Sequence, residues 1–332
     1  MKVAVLGAGA WGSALAMQAS RHHIVSLWTR NQAHLSSMRE TRANYQYLGD
    51  YLFNDNVALA DHLDAALEGA GLIISAVPTA GFRETLMAIR QHGSHAPIIW
   101  ASKGLESGTA KLPHEVAEEV LTTSDKKYLW GALSGPSFAA ELARDLPTAA
   151  TIASPDEAFA CKAAKLLHGG NFRVYTSTDV IGVSVGGALK NVMAIAAGIS
   201  DGMQFGSNAR AALITRGLAE MTRFGMALGG KRETFMGLTG AGDLVLTCTG
   251  EYSRNREVGL RLAQGQTLDE ILQSLGHVAE GVYTAREVLK RAKELGVEMP
   301  ITCEVDQVLS HGRSPRVAVE NLLSRGQKSE AS

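Results

Sequence analysis

Along the first half of the chain, short apolar runs rich in Val, Ile and Ala alternate with turns and with stretches of helical spacing. Runs at 3–6, 24–29, 57–60, 72–77, 98–101, 129–133, 149–153 and 172–176 are mostly continuous rather than alternating, as in strands buried on both faces. They predict a mostly parallel sheet covered by helices, an α/β Rossmann-type unit. After about residue 178 the strand signals stop, and segments 180–199, 209–228, 283–295 and 317–323 carry helical spacing instead. This change of period, with no Pro/Ser-rich linker to mark it, divides the chain into an α/β domain over 1–185 and an all-α domain over 186–332. Residues 324–332 are small and polar, which predicts a flexible tail.

Segment 180–199 is nearly apolar over about the 20 residues that a bilayer crossing needs. Lys190 and Asn191 fall at its centre, however, and a mid-membrane Lys costs about 2.5–3.5 kcal/mol. The expectation is a buried helix joining the two domains. The 332 residues carry a formal net charge of −1, which leaves no basic footprint for a nucleic acid. Cys161, Cys248 and Cys303 form no CxxC pair or disulfide framework, and the opening apolar run breaks at Gly7, too early for a signal-peptide core. These features suit a cytoplasmic protein. The 10 histidines have no metal-ligand spacing, so no metal site is expected.

The first apolar run leads straight into Gly7-Ala8-Gly9-Ala10-Trp11-Gly12 and then a helical stretch, the strand, turn and helix context that GxGxxG requires. Gly7 permits a tight turn, Gly9 lets a pyrophosphate approach, and Gly12 allows close helix packing, with free amides facing the phosphates. A dinucleotide site follows. The second run ends at Arg30, where a carboxylate that would bind the ribose 2′-hydroxyl is common; a guanidinium suits a 2′-phosphate better, so NADPH is slightly favoured over NADH. Ligands on such sheets lie beyond the carboxyl ends of the strands, which marks Lys103, Gly135 and Ser137.

In the helical half, Gly182, Gly186 and Lys190 share one helix stripe, which predicts close approach of a neighbouring domain or of a cofactor ring and substrate, with Lys190 and Asn191 reaching into that space. Lys190 can act as a general base if burial or a nearby cation such as Lys103 lowers its pKa. Leu238-Thr239-Gly240-Ala241-Gly242-Asp243 delivers Asp243, either as a helix cap or as a reacting group, with Thr247 one turn on. Ser253, Arg254 and Asn255 open a helix where Arg254 and Arg256 oppose the macrodipole, so a phosphate there would relieve the conflict. Gly182-Val183-Ser184-Val185-Gly186 matches an esterase elbow only by letters, because helical periodicity runs through it, and Arg232 replaces the Ser/Thr that a P-loop after Lys231 would need.

These motifs in this order, together with Ala101-Ser102-Lys103-Gly104, Ser134-Gly135-Pro136-Ser137-Phe138-Ala139 and Val278-Ala279-Glu280-Gly281, resemble the soluble bacterial NAD(P)-dependent glycerol-3-phosphate dehydrogenases over essentially the whole chain. The resemblance implies that Lys190 is the catalytic proton donor and acceptor, with Asn191, Asp243 and Thr247 at the reacting end. It assigns substrate contact to Lys103, Gly135, Ser137, Lys190, Asp243, Ser253, Arg254 and Asn255. For the cofactor, NADPH or NADH, it assigns Gly7, Gly9, Trp11, Gly12, Arg30, Lys103, Ala139, Arg254, Val278 and Glu280. The implied reaction is reversible reduction of dihydroxyacetone phosphate to sn-glycerol 3-phosphate for glycerophospholipid synthesis. The implied partners are small molecules, with no nucleic acid and no membrane insertion, and a homodimer is compatible with the reading. Two alternatives stay open: a dehydrogenase of similar layout acting on a β-hydroxy acid, and an NADPH-binding sensor without activity.

Overall fold

The computed structural model describes residues 1–122, 128–276 and 279–326. All eight apolar runs of the first half are strands: β1 (Lys2–Leu6), β2 (Ile24–Trp28), β3 (Val57–Ala60), β4 (Leu72–Ser75), β5 (Ile98–Trp100), β6 (Trp130–Ser134), β7 (Thr148–Ala153) and β8 (Phe172–Ser177). They form one sheet in the order β3-β2-β1-β4-β5-β6-β7-β8. Every neighbouring pair is parallel except β6 and β7. The order reverses beside β1, which pairs with β2 on one side and β4 on the other, the kind of switch point at whose carboxyl ends ligands bind on open α/β sheets.

The continuous apolar character of these strands has a direct physical cause. Val3 and Val5 enter one core beneath the helix Ala10–Ala19, while Ala4 and Leu6 enter a second core on the opposite face with Phe82, Leu86 and Trp100. Because side chains alternate across a strand, covering both faces demands an apolar residue at every position.

The second half is helical and packs around the helix Val180–Gly202. This 23-residue helix begins with Val180 and Val183 in one sheet core and continues with Val192, Met193 and Ile195 in the helical core. It is long and apolar enough to cross a membrane, but 94% of its most apolar window is buried inside the protein. Asp179 caps it by accepting the Gly182 N–H at 2.9 Å.

The long helix crosses the helix Arg254–Ala263 at glycine contacts. A Cβ on Gly198 would run into the Arg256 carbonyl, and one on Gly259 into the Ile195 carbonyl, with Gly198 Cα 2.9 Å away. This approach brings the start of the helix Arg254–Ala263 beside Lys190 and Asn191. Gly259→Ala is expected to lower stability by about 1–3 kcal/mol through overpacking, read as an earlier urea midpoint; an unchanged midpoint would contradict the close crossing.

Candidate active site

The glycine turn after β1 behaves as its spacing predicts. Gly7 has φ +105°, and a Cβ there would lie 2.9 Å from the Ala76 carbonyl carbon and oxygen. A Cβ on Gly12 would strike the Gly7 carbonyl, whereas one on Gly9 would have nothing within 4 Å. One glycine makes the turn, one permits helix packing, and one keeps open the space that a pyrophosphate needs. The helix Ala10–Ala19 starts there without a side-chain cap, which leaves its first amides available to an anion. Trp11 is half-buried, and Arg30 is exposed past the end of β2 with no ion pair among the described residues. The turn fits a dinucleotide.

Beyond the carboxyl ends of β5 and β6 the chain gathers its charged groups. Asp243 is 1% exposed and lies between two ammonium groups: Lys103 Nζ donates to its Oδ2 at 2.9 Å, and Lys190 Nζ donates to its Oδ1. Burial alone would raise the Asp243 carboxyl, but Lys103 and Lys190 outweigh it and the net shift is downward. Burial pulls the Lys190 amine down to about 8; Asp243 acts to raise it and Lys103 to lower it further. Thr247 Oγ1 donates to the Asp243 carbonyl at 2.5 Å and lies 3.3 Å from its Oδ1. The helix Asp243–Thr249 is capped by Gly242, so Asp243 does not serve as the cap. The adjoining Cys248 is pushed up to about 12 by burial, which keeps it a thiol rather than a nucleophile.

A second chain of bonds fixes the floor of this cluster. Asn191 Nδ2 donates to the Lys103 carbonyl at 3.3 Å, Asn255 Nδ2 donates to Asn191 Oδ1 at 3.0 Å, and the Gly281 N–H donates to Asn255 Oδ1 at 3.0 Å. These bonds tie the loop after β5 to three helices. Ser253 is the cap of the helix Arg254–Ala263, accepting the Arg256 N–H at 3.3 Å, and its hydroxyl proton remains available. Arg254 is exposed and makes no hydrogen bond among the described residues, although the protein atoms around its guanidinium displace enough water to lower its pKa, with Glu280 opposing the shift. Arg256 instead reaches back to Asp201 at 2.6 Å, so only Arg254 remains as the unpaired cation at this helix start.

Lys103 Nζ lies 3.4 Å from the Gly135 carbonyl, which also accepts the Ser137 hydroxyl at 3.1 Å. Ala139 opens the short helix that follows. Glu280 accepts the Thr79 N–H at 2.8 Å and its hydroxyl at 3.0 Å; burial raises its carboxyl, with the Thr79 bonds and Arg254 opposing. Thr79 was not among the residues marked in sequence, although it sits immediately beyond Pro78, where β4 has ended. Val278 lies outside the described residues.

The glycine stripe Gly182, Gly186 corrects one expectation. A Cβ on Gly182 would meet Asp179 and Thr234, and one on Gly186 the Thr239 carbonyl, so the space is filled by the 234–240 segment of the helical half rather than by a cofactor or the other domain. Gly187 is the glycine turned to the sheet: a Cβ there would lie 3.0 Å from Ser134 Oγ at the end of β6 and 3.4 Å from Lys103 Cγ. Among the described residues no group of three or more His, Cys, Asp or Glu could hold a metal.

The profiles described as "NAD-dependent glycerol-3-phosphate dehydrogenase N-terminus" and "C-terminus" match residues 2–160 and 179–320. The chain belongs to the NAD-dependent glycerol-3-phosphate dehydrogenase family. It is 73% identical over 331 residues to a glycerol-3-phosphate dehydrogenase [NAD(P)+] of Methylobacillus flagellatus, with 100% of both chains covered. The enzyme of that name from Nitrosospira multiformis is 54% identical, with 99% of each chain covered. The solved glycerol-3-phosphate dehydrogenase of Coxiella burnetii superposes with a TM-score of 0.93 at 42% identity, covering 98% of this chain and 99% of that one. The chain is thus an oxidoreductase of this family that uses NADH or NADPH.

Asp243→Asn removes the group that acts to raise Lys190, so the Lys190 pKa is expected to move below about 8. The corresponding limb of the pH–rate profile should shift to lower pH; a limb that stays or moves upward would contradict the pairing.

Proposed function

We propose that Lys190 is the proton donor and acceptor of the reaction, that Asp243 and Thr247 align it, and that Asn191 holds the floor beneath it. The protein reduces dihydroxyacetone phosphate reversibly to sn-glycerol 3-phosphate with NADH or NADPH, and the product supplies glycerophospholipid synthesis. The observation that carries the assignment of roles is the buried Asp243 shared by Lys103 and Lys190 at the carboxyl ends of the strands. A bound reduced nicotinamide supplies the hydride. The chain's own residues do the rest. The lowered Lys190 pKa lets an N–H proton pass to the alkoxide forming at C2, and Asp243 orients the ammonium while keeping the pocket from carrying two uncompensated positive charges. The Ser253 hydroxyl, Arg254 and the first amides of its helix offer donors to the phosphate, together with Lys103. Gly135 and Ser137 line the substrate side, where Asn255 orients Asn191 and contributes its remaining N–H.

The cofactor reading assigns the pyrophosphate to the turn Gly7, Gly9, Gly12, the adenosine side to Trp11 and Arg30, and the nicotinamide side to Lys103, Ala139, Arg254, Val278 and Glu280. The exposed Arg30 guanidinium favours a 2′-phosphate and hence NADPH. We assign cofactor binding to a unit spanning 1–185 and substrate binding with catalysis to 186–332, the long helix being shared between them. The unpaired cysteines fit a cytoplasmic enzyme.

Lys190→Ala is expected to lower turnover by at least about a thousandfold while NADPH binding, measured by calorimetry, stays within a few-fold; near-normal turnover would remove Lys190 from the role. The pH signs are opposite for the two directions. Reduction needs the ammonium and should decline as pH rises through about 8, whereas oxidation needs the free amine and should rise through the same point.

A homodimer is the assembly we favour. A hollow of about 1080 Å³ on the helical half is lined by Ile199, Leu213, Val305 and Leu322, with Phe205 44% and Leu323 80% exposed at its margin. Its lining also includes Arg216, Arg223, Glu298 and Glu304, with the two glutamates paired within the chain to Arg325 and Arg313, so the apolar surface is what a second copy would cover. Light scattering should give twice the 35.2 kDa chain mass, reverting toward one chain in Leu323→Asp; a single-chain mass for the unaltered protein would contradict the dimer.

A further inference from the structure

The segment between the helix Gln32–Thr41 and β3 buries a carboxamide. Asn44 is 0% exposed. Its Nδ2 donates to the Ala8 carbonyl at 2.9 Å and to Ser13 Oγ at 2.7 Å, one acceptor within the glycine turn and the other just after it. Its Oδ1 accepts the Tyr47 N–H at 3.2 Å and pairs with His34 Nε2 at 2.9 Å. The orientation is unambiguous, because the Ala8 carbonyl can only accept and the Tyr47 amide can only donate. Both ends of the amide are used, so the side chain is locked.

In a trans peptide the carbonyl and the next N–H point in opposite directions. Pinning the Ala8 carbonyl inward therefore turns the Gly9 N–H outward, away from Asn44. That N–H makes no hydrogen bond among the described residues, and Gly9 is the glycine whose Cβ direction is open. We propose that Asn44 is a positioning residue for the dinucleotide: it sets the Ala8–Gly9 peptide so that the Gly9 amide is presented to a pyrophosphate before one arrives. His34 steadies Asn44 through its Nε2, on the oxygen end of the amide opposite the turn. The inference rests on the dinucleotide reading of the glycine turn and extends it to a residue 31 positions beyond Ser13 that no fingerprint includes.

Asn44→Asp keeps the size and the accepting oxygen but sets a carboxylate oxygen against the Ala8 carbonyl. The Kd for NADPH by calorimetry and the KM for NADPH should both rise about tenfold, the effect of losing one buried hydrogen bond. The turnover number and the KM for dihydroxyacetone phosphate should stay within about twofold. Should Asn44→Asp fail to fold, His34→Ala carries the test, with a two- to threefold rise in the same two constants. Unchanged NADPH binding in the folded variant, or parallel losses in turnover and in the other substrate's KM, would overturn the proposal. If the unaltered protein bound no NADPH, the dinucleotide reading itself would fail, a result distinct from either.

Discussion

One buried carboxylate holds the proposed reacting end of this molecule together. Asp243 accepts from Lys103, on the loop after β5, and from Lys190, in the long helix Val180–Gly202. Each of the three charges would be costly in this setting without the others, and removing one partner of such a buried pair typically costs on the order of 3–5 kcal/mol. The ion cluster is therefore a constraint on folding as well as on chemistry: the α/β and helical halves can close only where their charges meet. Because two amines share one acid, the local balance stays positive, and desolvation pulls the Lys190 proton into a range where it can be exchanged near neutral pH.

The geometry that places these charges is made by small residues. Gly198 and Gly259 let two helices cross with backbone contact, which sets Asn255 against Asn191 and carries Ser253 and Arg254 to the cleft. Gly187 gives Lys103 and Ser134 room on the sheet side of the same long helix. The helix pays for these glycines in propensity, and recovers the loss through burial of nearly its entire surface.

Much of this was legible in the sequence, for reasons that belong to particular residues. The eight strands stood out because a sheet covered on both sides needs apolar residues at Val3, Ala4, Val5 and Leu6 in succession. The glycine turn was legible because each glycine answers a different local demand. Less could be read where the decisive partner is distant in the chain. Nothing around Gly182 or Gly186 reveals that Thr234 and Thr239 fill the space beside them. Nothing around Arg256 points to Asp201, and Asp243 looked as much like a helix cap as like an ion-pair centre. Asn44 sits in a polar-looking loop, where a buried carboxamide and a solvated one share the same letter.

The most direct measurement is the titration of Lys190 itself, followed by nitrogen-detected NMR of lysine labelled at Nζ, with Lys190→Arg to assign the signal. Its midpoint should lie near 8, moved down from 10.5 by burial and by Lys103, with Asp243 opposing a larger fall. A midpoint at the ordinary lysine value would contradict that shift.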